Sequence, residues 1–204
     1  MKKTSETRGR PRSYNPDKVT EGALRVFWRK GFSATSLDDL VDATGINRPS
    51  LYAGFGDKEK IYLTVLDRFR GMMTAKLQAA LIPRGDDDTV SNAVNRYLSE
   101  VVEIYLGSAS EAVGCAVFST TVSETMNHKA IREMLSATLH LLDNAFEAYL
   151  SKAQQDGKLR TTADCVSLSR LLGATQHSLA LRARAGQSRK ELQKLVDATV
   201  HLIS

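Results

Sequence analysis

The sequence contains few residues of the kinds from which metal centres, disulfides and redox sites are built. Its 204 residues include two cysteines, Cys115 and Cys165, and four histidines that fall singly among ordinary helical residues. Two cysteines so far apart do not form a zinc framework, and an intracellular protein normally keeps them reduced. A phosphate-binding loop, a dinucleotide-binding glycine motif and a His-Glu pair at zinc spacing are also lacking. We therefore expect no metal, no cofactor and no enzymatic activity.

Long apolar runs are absent as well. No run approaches the roughly 18 apolar residues that a membrane-spanning helix needs, and the polar N-terminus lacks the apolar centre of a signal peptide. Hydrophobic residues nevertheless make up 42% of the chain, which is enough to form a core in a chain of this length. We expect a folded cytoplasmic protein without a membrane partner.

The positive charge is concentrated at the N-terminus. The formal net charge is +5, and apart from Glu6 the charged residues up to position 12 are basic: Lys2, Lys3, Arg8, Arg10 and Arg12. A basic arm on a nearly neutral body favours a polyanion that is contacted locally. We predict that residues 1–13 form a flexible basic arm, with a solvated tail that has no partner as the alternative.

The arm contains the tetrapeptide Arg8-Gly9-Arg10-Pro11. Its arginines alternate around a small residue and resemble the core of an AT-hook. Such a peptide can lie in the narrow minor groove of A·T-rich DNA, where the negative potential is strongest. We expect Arg8, Arg10 and Arg12 to add affinity and an A·T preference beside a DNA site.

Residues 35–58 are predicted to form two short helices joined by a tight turn. Thr35 and Ser36 are capping hydroxyls, and acidic residues follow in the first turn. Gly45 ends the first helix, because glycine adopts the left-handed conformation that a sharp turn requires. Asn47 then caps the second helix. The pattern is typical of a helix-turn-helix.

The second of these helices leaves Arg48, Ser50 and Tyr52 free to point outward, while Leu51 and Phe55 anchor it inward. The outward face of the second helix is the part of a helix-turn-helix that enters a DNA major groove. Periodicity alone also allows a structural role, since short helix pairs with a glycine turn occur in bundles without DNA.

The same region resembles the DNA-binding domain of the TetR/AcrR family of bacterial transcriptional regulators, over roughly residues 14–66. The residues that carry the resemblance are Gly31, Phe32, Thr35, Ser36, Leu40, Ala43, Gly45, Ile46, Pro49, Ser50, Leu51, Tyr52, Phe55 and Lys58. The rest of the chain is similar to the family in helical pattern only. Ala53-Gly54 departs from the aromatic or histidine pair that the family often carries, so we expect this end of the helix to make fewer contacts to DNA bases.

The resemblance implies a homodimer that places two reading helices in successive major grooves of a near-palindromic operator. We expect Arg48 to make a bidentate contact to guanine, with Ser50 as a second reader. Tyr52, Lys58 and the helix start at Thr35 and Ser36 are expected to contact phosphates. Ordinary packing and capping are the alternatives for Tyr52 and Ser50.

Apolar residues recur at helical spacing through the whole chain, and strand-like alternation is absent. A first helix ends at Gly31, and a long helix runs from Lys58 to about Leu81. Further helical spacing covers residues 90–106, 109–124, 128–155, 162–185 and 188–203. We predict an all-α protein of about nine helices. Its predicted parts are the arm, a three-helix helix-turn-helix domain at 14–60, and a larger helical ligand-binding and dimerisation domain at 61–204.

The resemblance also implies a small-molecule effector bound inside the C-terminal domain. The residues suited to an apolar ligand are Phe69, Met73, Tyr97, Tyr105, Cys115, Phe118 and His140. Any one of these is more often plain core. For His140, which two leucines flank, a satisfied core histidine is the commoner role.

Gly114-Cys115 resembles the Gly-Cys pair of a TetR subgroup, some of whose members sense electrophiles or oxidants. A reactive thiol needs a lowered pKa from a nearby cation or helix N-terminus, and no lysine, arginine or histidine adjoins Cys115 in the sequence. A redox or electrophile sensor and a buried structural cysteine therefore both remain open.

The last two helices, within about 162–203, are those that form the four-helix dimer interface in the family. The small residues Gly173 and Ala174 would allow close approach there. The expected function is a ligand-responsive regulator, most simply a repressor, with operator DNA, a second copy of the chain and a small molecule as partners. A DNA-binding dimer without an effector is the alternative.

Overall fold

The computed structural model describes residues 14–107, 113–159 and 164–203. These residues form nine α-helices and one 3-10 turn, Val122–Glu124. The helices are α1 Pro16–Lys30, α2 Leu37–Thr44, α3 Arg48–Phe55, α4 Lys58–Leu81, α5 Val90–Leu106, α6 Ala116–Thr121, α7 Lys129–Gln155, α8 Cys165–Arg184 and α9 Arg189–Leu202. The all-α prediction is confirmed. Within the described ranges, no helix has the length and apolar character to span a bilayer.

Most helices begin at a side chain that caps the free backbone amides of the first turn. Asn15 accepts from the amides of Asp17 and Lys18, and Asp57 accepts from Lys60. Such caps are worth about 1 kcal/mol each, because a helix start otherwise leaves amides without a partner. They therefore fix where these helices begin.

The segment predicted as one helix over 109–124 differs in the structure. Residues 108–112 lie outside the described ranges, and the helix that follows, α6, spans only Ala116–Thr121. Gly114 has φ +66°, and the amides of Val113 and Gly114 both donate to the carbonyl of Tyr105 at 3.1 Å. These two amides are committed to the end of α5, so Val113 and Gly114 do not belong to a helix. Apolar spacing gave no sign of this contact.

The helix-turn-helix unit, which we define as α1–α3, and the larger helical part share α4. The beginning of α4 packs on α1 and α3, and the helix continues against α5 and α7. Buried aromatic residues follow its length, from Tyr62 to Phe69. The predicted boundary between residues 60 and 61 therefore falls inside a continuous helix, which joins the two parts mechanically.

Candidate nucleic-acid interface and buried cavity

The turn between α2 and α3 has the geometry that its sequence predicts. Gly45 lies in the left-handed region, with φ 69° and ψ 14°, and its amide donates to Val41 O at 2.9 Å. The Asn47 side chain accepts from the amide of Ser50 at 2.9 Å. Leu40 and Leu51 are fully buried, so both helices are anchored on the same core and the turn between them is rigid.

The outer face of α3 is open to solvent. Arg48 and Ala53 are exposed, 44% of the Tyr52 side chain is accessible, and Ser50 is half-buried. These positions agree with the outward face predicted for a reading helix. Their contacts to bases and phosphates remain predictions.

Arg48 is held by an acidic side chain of α2. Its Nη2 lies 2.5 Å from Asp38 Oδ1, and both side chains are more than half exposed. This hydrogen bond raises the pKa of Arg48, with a Coulombic contribution from the same carboxylate. The ion pair holds the guanidinium at the start of α3, where it faces solvent.

Thr35 differs from the prediction. Its side chain is 1% exposed, and its hydroxyl donates to Gly31 O at 2.6 Å. A buried hydroxyl that is already donating cannot reach phosphate, so Thr35 stabilises the end of α1 instead. Ser36 alone caps α2: its hydroxyl accepts from the Asp39 amide at 3.1 Å, and its own amide donates to the Asp39 carboxylate at 2.9 Å. Ser36 remains exposed at the helix start.

Lys58 folds back toward the body of the protein. Its ammonium lies 4.6 Å from the centre of the Phe32 ring and 3.4 Å from Ser33 O. Burial lowers the pKa of Lys58, while Glu124 acts in the opposite direction. A phosphate contact, still a prediction, would require this side chain to swing outward.

Two contacts brace α1 against α2. Lys30 Nζ lies 2.6 Å from Asp39 Oδ1, and the hydrogen bond with Lys30, followed by those with Ser36, lowers the pKa of Asp39 to about 2. A Cβ at Gly22 would lie 2.5 Å from Ala43 O, so only glycine allows these helices to approach so closely.

The arm residues Arg8, Arg10 and Arg12 lie outside the described ranges.

A cavity of about 30 Å³ lies among α4, α5, α6, α7 and α8. Five of the predicted ligand-binding residues line it: Phe69, Met73, Tyr97, Cys115 and Phe118. The volume is enough for a water molecule but far below the several hundred Å³ of an ordinary ligand site. A ligand would therefore have to displace the side chains that line it.

The other two predicted residues do not line this cavity. Tyr105 is fully buried behind it and accepts from Gln176 Nε2 at 3.1 Å. His140 is exposed on α7, so it is neither a cavity residue nor a core histidine. Its leucine neighbours predicted burial wrongly, because the exposed face of α7 passes through position 140.

The chain matches two family descriptions, and together they cover most of its length. Residues 19–65 match the bacterial regulatory proteins of the tetR family, and residues 94–199 match the tetracyclin repressor-like C-terminal domain. The chain belongs to the TetR family. It is a helix-turn-helix transcriptional regulator that binds operator DNA, and not an enzyme.

Three relatives of this TetR-family regulator match it over nearly their whole length. The transcriptional repressor ComR of Escherichia coli K12 is 28% identical over 97% of this chain and 92% of its own. The repressor BdcR of the same organism is 29% identical over 94% and 90%. A cysteine mutant of the TetR-family regulator CifR, solved with 26-bp operator DNA, has TM-score 0.84 and 26% identity and covers 94% of this chain and 98% of CifR.

Gln176, which was not predicted from the sequence, is a polar residue in the buried cavity of this TetR-family regulator. It is 3% exposed and lines the cavity, and its Oε1 accepts from the Tyr97 hydroxyl at 2.8 Å. Glutamine is common on helix surfaces, so its type carries no signal; only its place in the apolar spacing of α8 could have indicated burial. With Tyr105, these side chains form an uncharged hydrogen-bonded group.

Cys115 lies in the same apolar surroundings. It is 2% exposed, and burial raises the pKa of its thiol to about 11. Hydrogen bonds with the backbone of Phe118 and with Tyr105 oppose this shift only in part. Because the thiolate is the reactive form, the surroundings of Cys115 favour an unreactive thiol.

Proposed function

We propose that this regulator is a repressor that binds a near-palindromic operator as a homodimer, in the bacterial cytoplasm, and leaves it when a small molecule enters the cavity. The observation that carries the DNA part is the exposed face of α3 on a rigidly anchored turn, with Arg48 at its start. The names of ComR and BdcR, both repressors, support the sign of regulation.

The dimer is supported by apolar side chains that remain exposed on the last two helices. Leu171 and Leu181 of α8 are 43% and 59% exposed, and Leu202 of α9 is 67% exposed. Ala174 continues the exposed face of α8. Gly173, in contrast, is buried beside Asp143 of α7, so it serves packing within the chain. Large exposed apolar residues on neighbouring helices are typical of a protein interface.

The effector class follows from the chemistry of the cavity. Its walls are mainly apolar, and Thr74, Tyr97, Thr138 and Gln176 supply uncharged polar groups. Arg70, the one charged residue of the lining in the described part of the chain, already forms an ion pair with Asp67. We infer a neutral, mainly apolar molecule with one hydrogen-bonding group. Such a molecule must displace flexible side chains such as Met73, because the cavity of about 30 Å³ is too small for it.

The first experiment selects genomic fragments that the purified full chain binds, followed by footprinting of the selected DNA. We expect pairs of inverted half-sites with centres about one helical turn apart. Arg48→Ala should lose the sequence preference. Absence of enriched fragments, or enrichment of isolated half-sites, would contradict the proposed function.

The dimer is tested by sedimentation of Leu181→Glu. A charge in a buried interface should produce a monomer at micromolar concentration and abolish operator binding. Ile82→Glu is the matched control, because Ile82 is 64% exposed but follows α4, away from α8 and α9. A dimeric Leu181→Glu would place the interface elsewhere.

The arm and the thiol have separate tests. Deleting residues 2–12 should weaken operator binding and flatten its salt dependence, since each lost phosphate contact reduces the slope. An unchanged slope would show that the arm does not contact DNA.

Operator binding by Cys115→Ser should respond to hypochlorite or a quinone as that of the parent does. A response confined to the parent would favour a thiol sensor instead.

A further inference from the structure

Trp28, near the end of α1, contacts the wall of the cavity at two places. Its indole Nε1–H donates to the carbonyls of Val113 and Gly114, each at 3.1 Å. Its ring also meets the ring of Phe69, with centroids 4.8 Å apart and an interplanar angle of 70°. Phe69 and Cys115, the residue after Gly114, both line the cavity. A residue of the helix-turn-helix unit thus rests directly on the cavity wall.

Arg184, the last residue of α8, joins the same two parts of the molecule. Its guanidinium donates to Trp28 O at 3.1 Å, Arg29 O at 3.3 Å and Val113 O at 3.2 Å. Carbonyls in the last turn of a helix have no partner within it and carry partial negative charge. Arg184 therefore caps the end of α1 from a different helix while also holding Val113.

The 113–115 segment between these residues has little freedom. Its first two amides donate to Tyr105 O, and its carbonyls accept from Trp28 and Arg184. A Cβ at Gly114, which has φ +66°, would lie 2.5 Å from Ala180 O. The segment is therefore packed directly on the backbone of α8. It cannot move outward from the cavity without losing hydrogen bonds to α1.

We propose that Trp28 and Arg184 are positioning residues that make the placement of the helix-turn-helix unit depend on the state of the 113–115 segment. The inference deepens the proposed function and rests on it. When a molecule enlarges the cavity at Cys115, the segment shifts and α1 loses the hydrogen bonds at its end. Since the two states differ in these contacts, a ligand that favours one of them changes operator affinity.

A second set of contacts keeps the two parts together when this junction is cut. Ser33 Oγ donates to Glu124 at 2.7 Å, and the hydroxyls of Tyr62 and Thr120 lie 2.5 Å apart. The hydrogen bonds of Arg184 are exposed, so water can reach the carbonyls that the substitution frees, and the cost is a small part of the total stability. We therefore expect Arg184→Met to fold, with a urea midpoint only slightly below that of the parent.

The test uses the thiol of Cys115 as a reporter of opening at the segment. The protein is the full chain with Cys165→Ser, and the probe is 5,5′-dithiobis(2-nitrobenzoate), added with and without saturating operator. By reciprocity, a segment that affects operator binding is itself affected by operator. In this parent the operator should slow modification of Cys115 by about five-fold or more.

Arg184→Met should bring the ratio of the two rates close to one. Trp28→Phe, which keeps the aromatic ring and removes the N–H donor, should lower it as well, and Arg184→Lys should retain part of it. Arg182→Met is the matched control. Its guanidinium hydrogen-bonds to Ser178 and Gln187 near its own helix end, and we expect the ratio of the parent.

Two results would overturn the inference. The first is an equal rate with and without operator in the parent, and the second is an undiminished ratio in Arg184→Met. Failure to recover any operator would appear before a rate is measured. It would contradict the proposed function and remove the inference with it.

Discussion

The hydroxyl of Tyr14 occupies the space that a side chain at Gly54 would need. A Cβ at Gly54 would lie 2.0 Å from that oxygen, and the Tyr14 ring packs near Phe55, with centroids 6.0 Å apart. Glycine at this position thus allows Tyr14, two residues before α1, to rest on the end of α3. Tyr14 is the first described residue, and it lies beside α3. The departure at Ala53-Gly54 therefore has a structural role, and the smaller number of base contacts expected from it stays a prediction.

Replacing Gly54 with alanine should stabilise the protein less than the same change at an unobstructed helical glycine. A Cβ at Gly71 of α4 would meet no atom of another helix within 4 Å among the described residues. Gly71→Ala should therefore raise the free energy of unfolding by about 0.5–1 kcal/mol. Gly54→Ala must displace Tyr14 from Phe55, which offsets the gain. Urea denaturation measures both.

A double-mutant cycle isolates this contact. In a Tyr14→Ala background, Gly54→Ala should recover the gain of about 0.5–1 kcal/mol seen at Gly71. Equal effects of Gly54→Ala in both backgrounds would show that Tyr14 does not rest on Gly54 in solution.

Asp38→Asn should tighten operator binding. The change releases Arg48 from its ion pair and removes a negative charge at the face where phosphates are expected. We expect affinity to rise by about two- to ten-fold, whereas Arg48→Ala should lower it about ten-fold or more. Fluorescence anisotropy with labelled operator measures both. Asp42→Asn makes the same charge change on α2 without contacting Arg48. An equal gain in operator affinity from this variant would show that the effect comes from net charge alone.

Gln176→Leu should destabilise the fold by about 2–4 kcal/mol, because the buried hydroxyl of Tyr97 loses its acceptor and that of Tyr105 keeps only its hydrogen bond with Cys115. The hydroxyls of Tyr97 and Tyr105 lie 2.8 Å and 3.1 Å from the Gln176 amide. In a background with both tyrosines changed to phenylalanine, the same substitution should cost less than about 1 kcal/mol. Urea unfolding tests this, and an equal cost in both backgrounds would argue against the hydrogen-bonded group.

The buried thiol of Cys115 should make stability depend on alkaline pH. Burial raises its pKa from 9.0 to about 11, so the native state holds its proton where the unfolded chain has released it. The resulting stability is complete below pH 9 and is lost as pH rises to 11, a change of roughly 2–3 kcal/mol. Cys115→Ala lacks this contribution, so the stability gap between the two proteins should narrow over that range. If urea unfolding gave the same difference in free energy of unfolding between the two proteins at every pH, the raised pKa of Cys115 would be contradicted.

Much of the helix-turn-helix and of the exposed face of α3 was predictable because the determinants are local. Ser36 and Asn47 bond to amides three residues ahead, and Gly45 takes the left-handed conformation that ends α2. Such contacts depend on residues close in sequence, and residue type and spacing indicate them.

Errors arose where tertiary packing, or a partner distant in the chain, overrode a local pattern. Thr35 has the type of a capping residue, yet its hydroxyl is buried against Gly31 O. The helix predicted over 109–124 is shortened because its first described amides bond to Tyr105. His140 lies between leucines, yet it is exposed, because the packing of α7 decides which face of that helix is buried.

The sequence by itself determined the all-α class, the capped starts of α2 to α4, the turn at Gly45 and the outward residues Arg48 and Tyr52, because capping and helical periodicity act within a few residues. Only the tertiary structure decided that Gln176 joins two tyrosines and that Trp28 and Arg184 meet at the 113–115 segment. Those residues are far apart in the chain. Their hydrogen bonds exist because hydrophobic packing of α1, α5 and α8 brings them together.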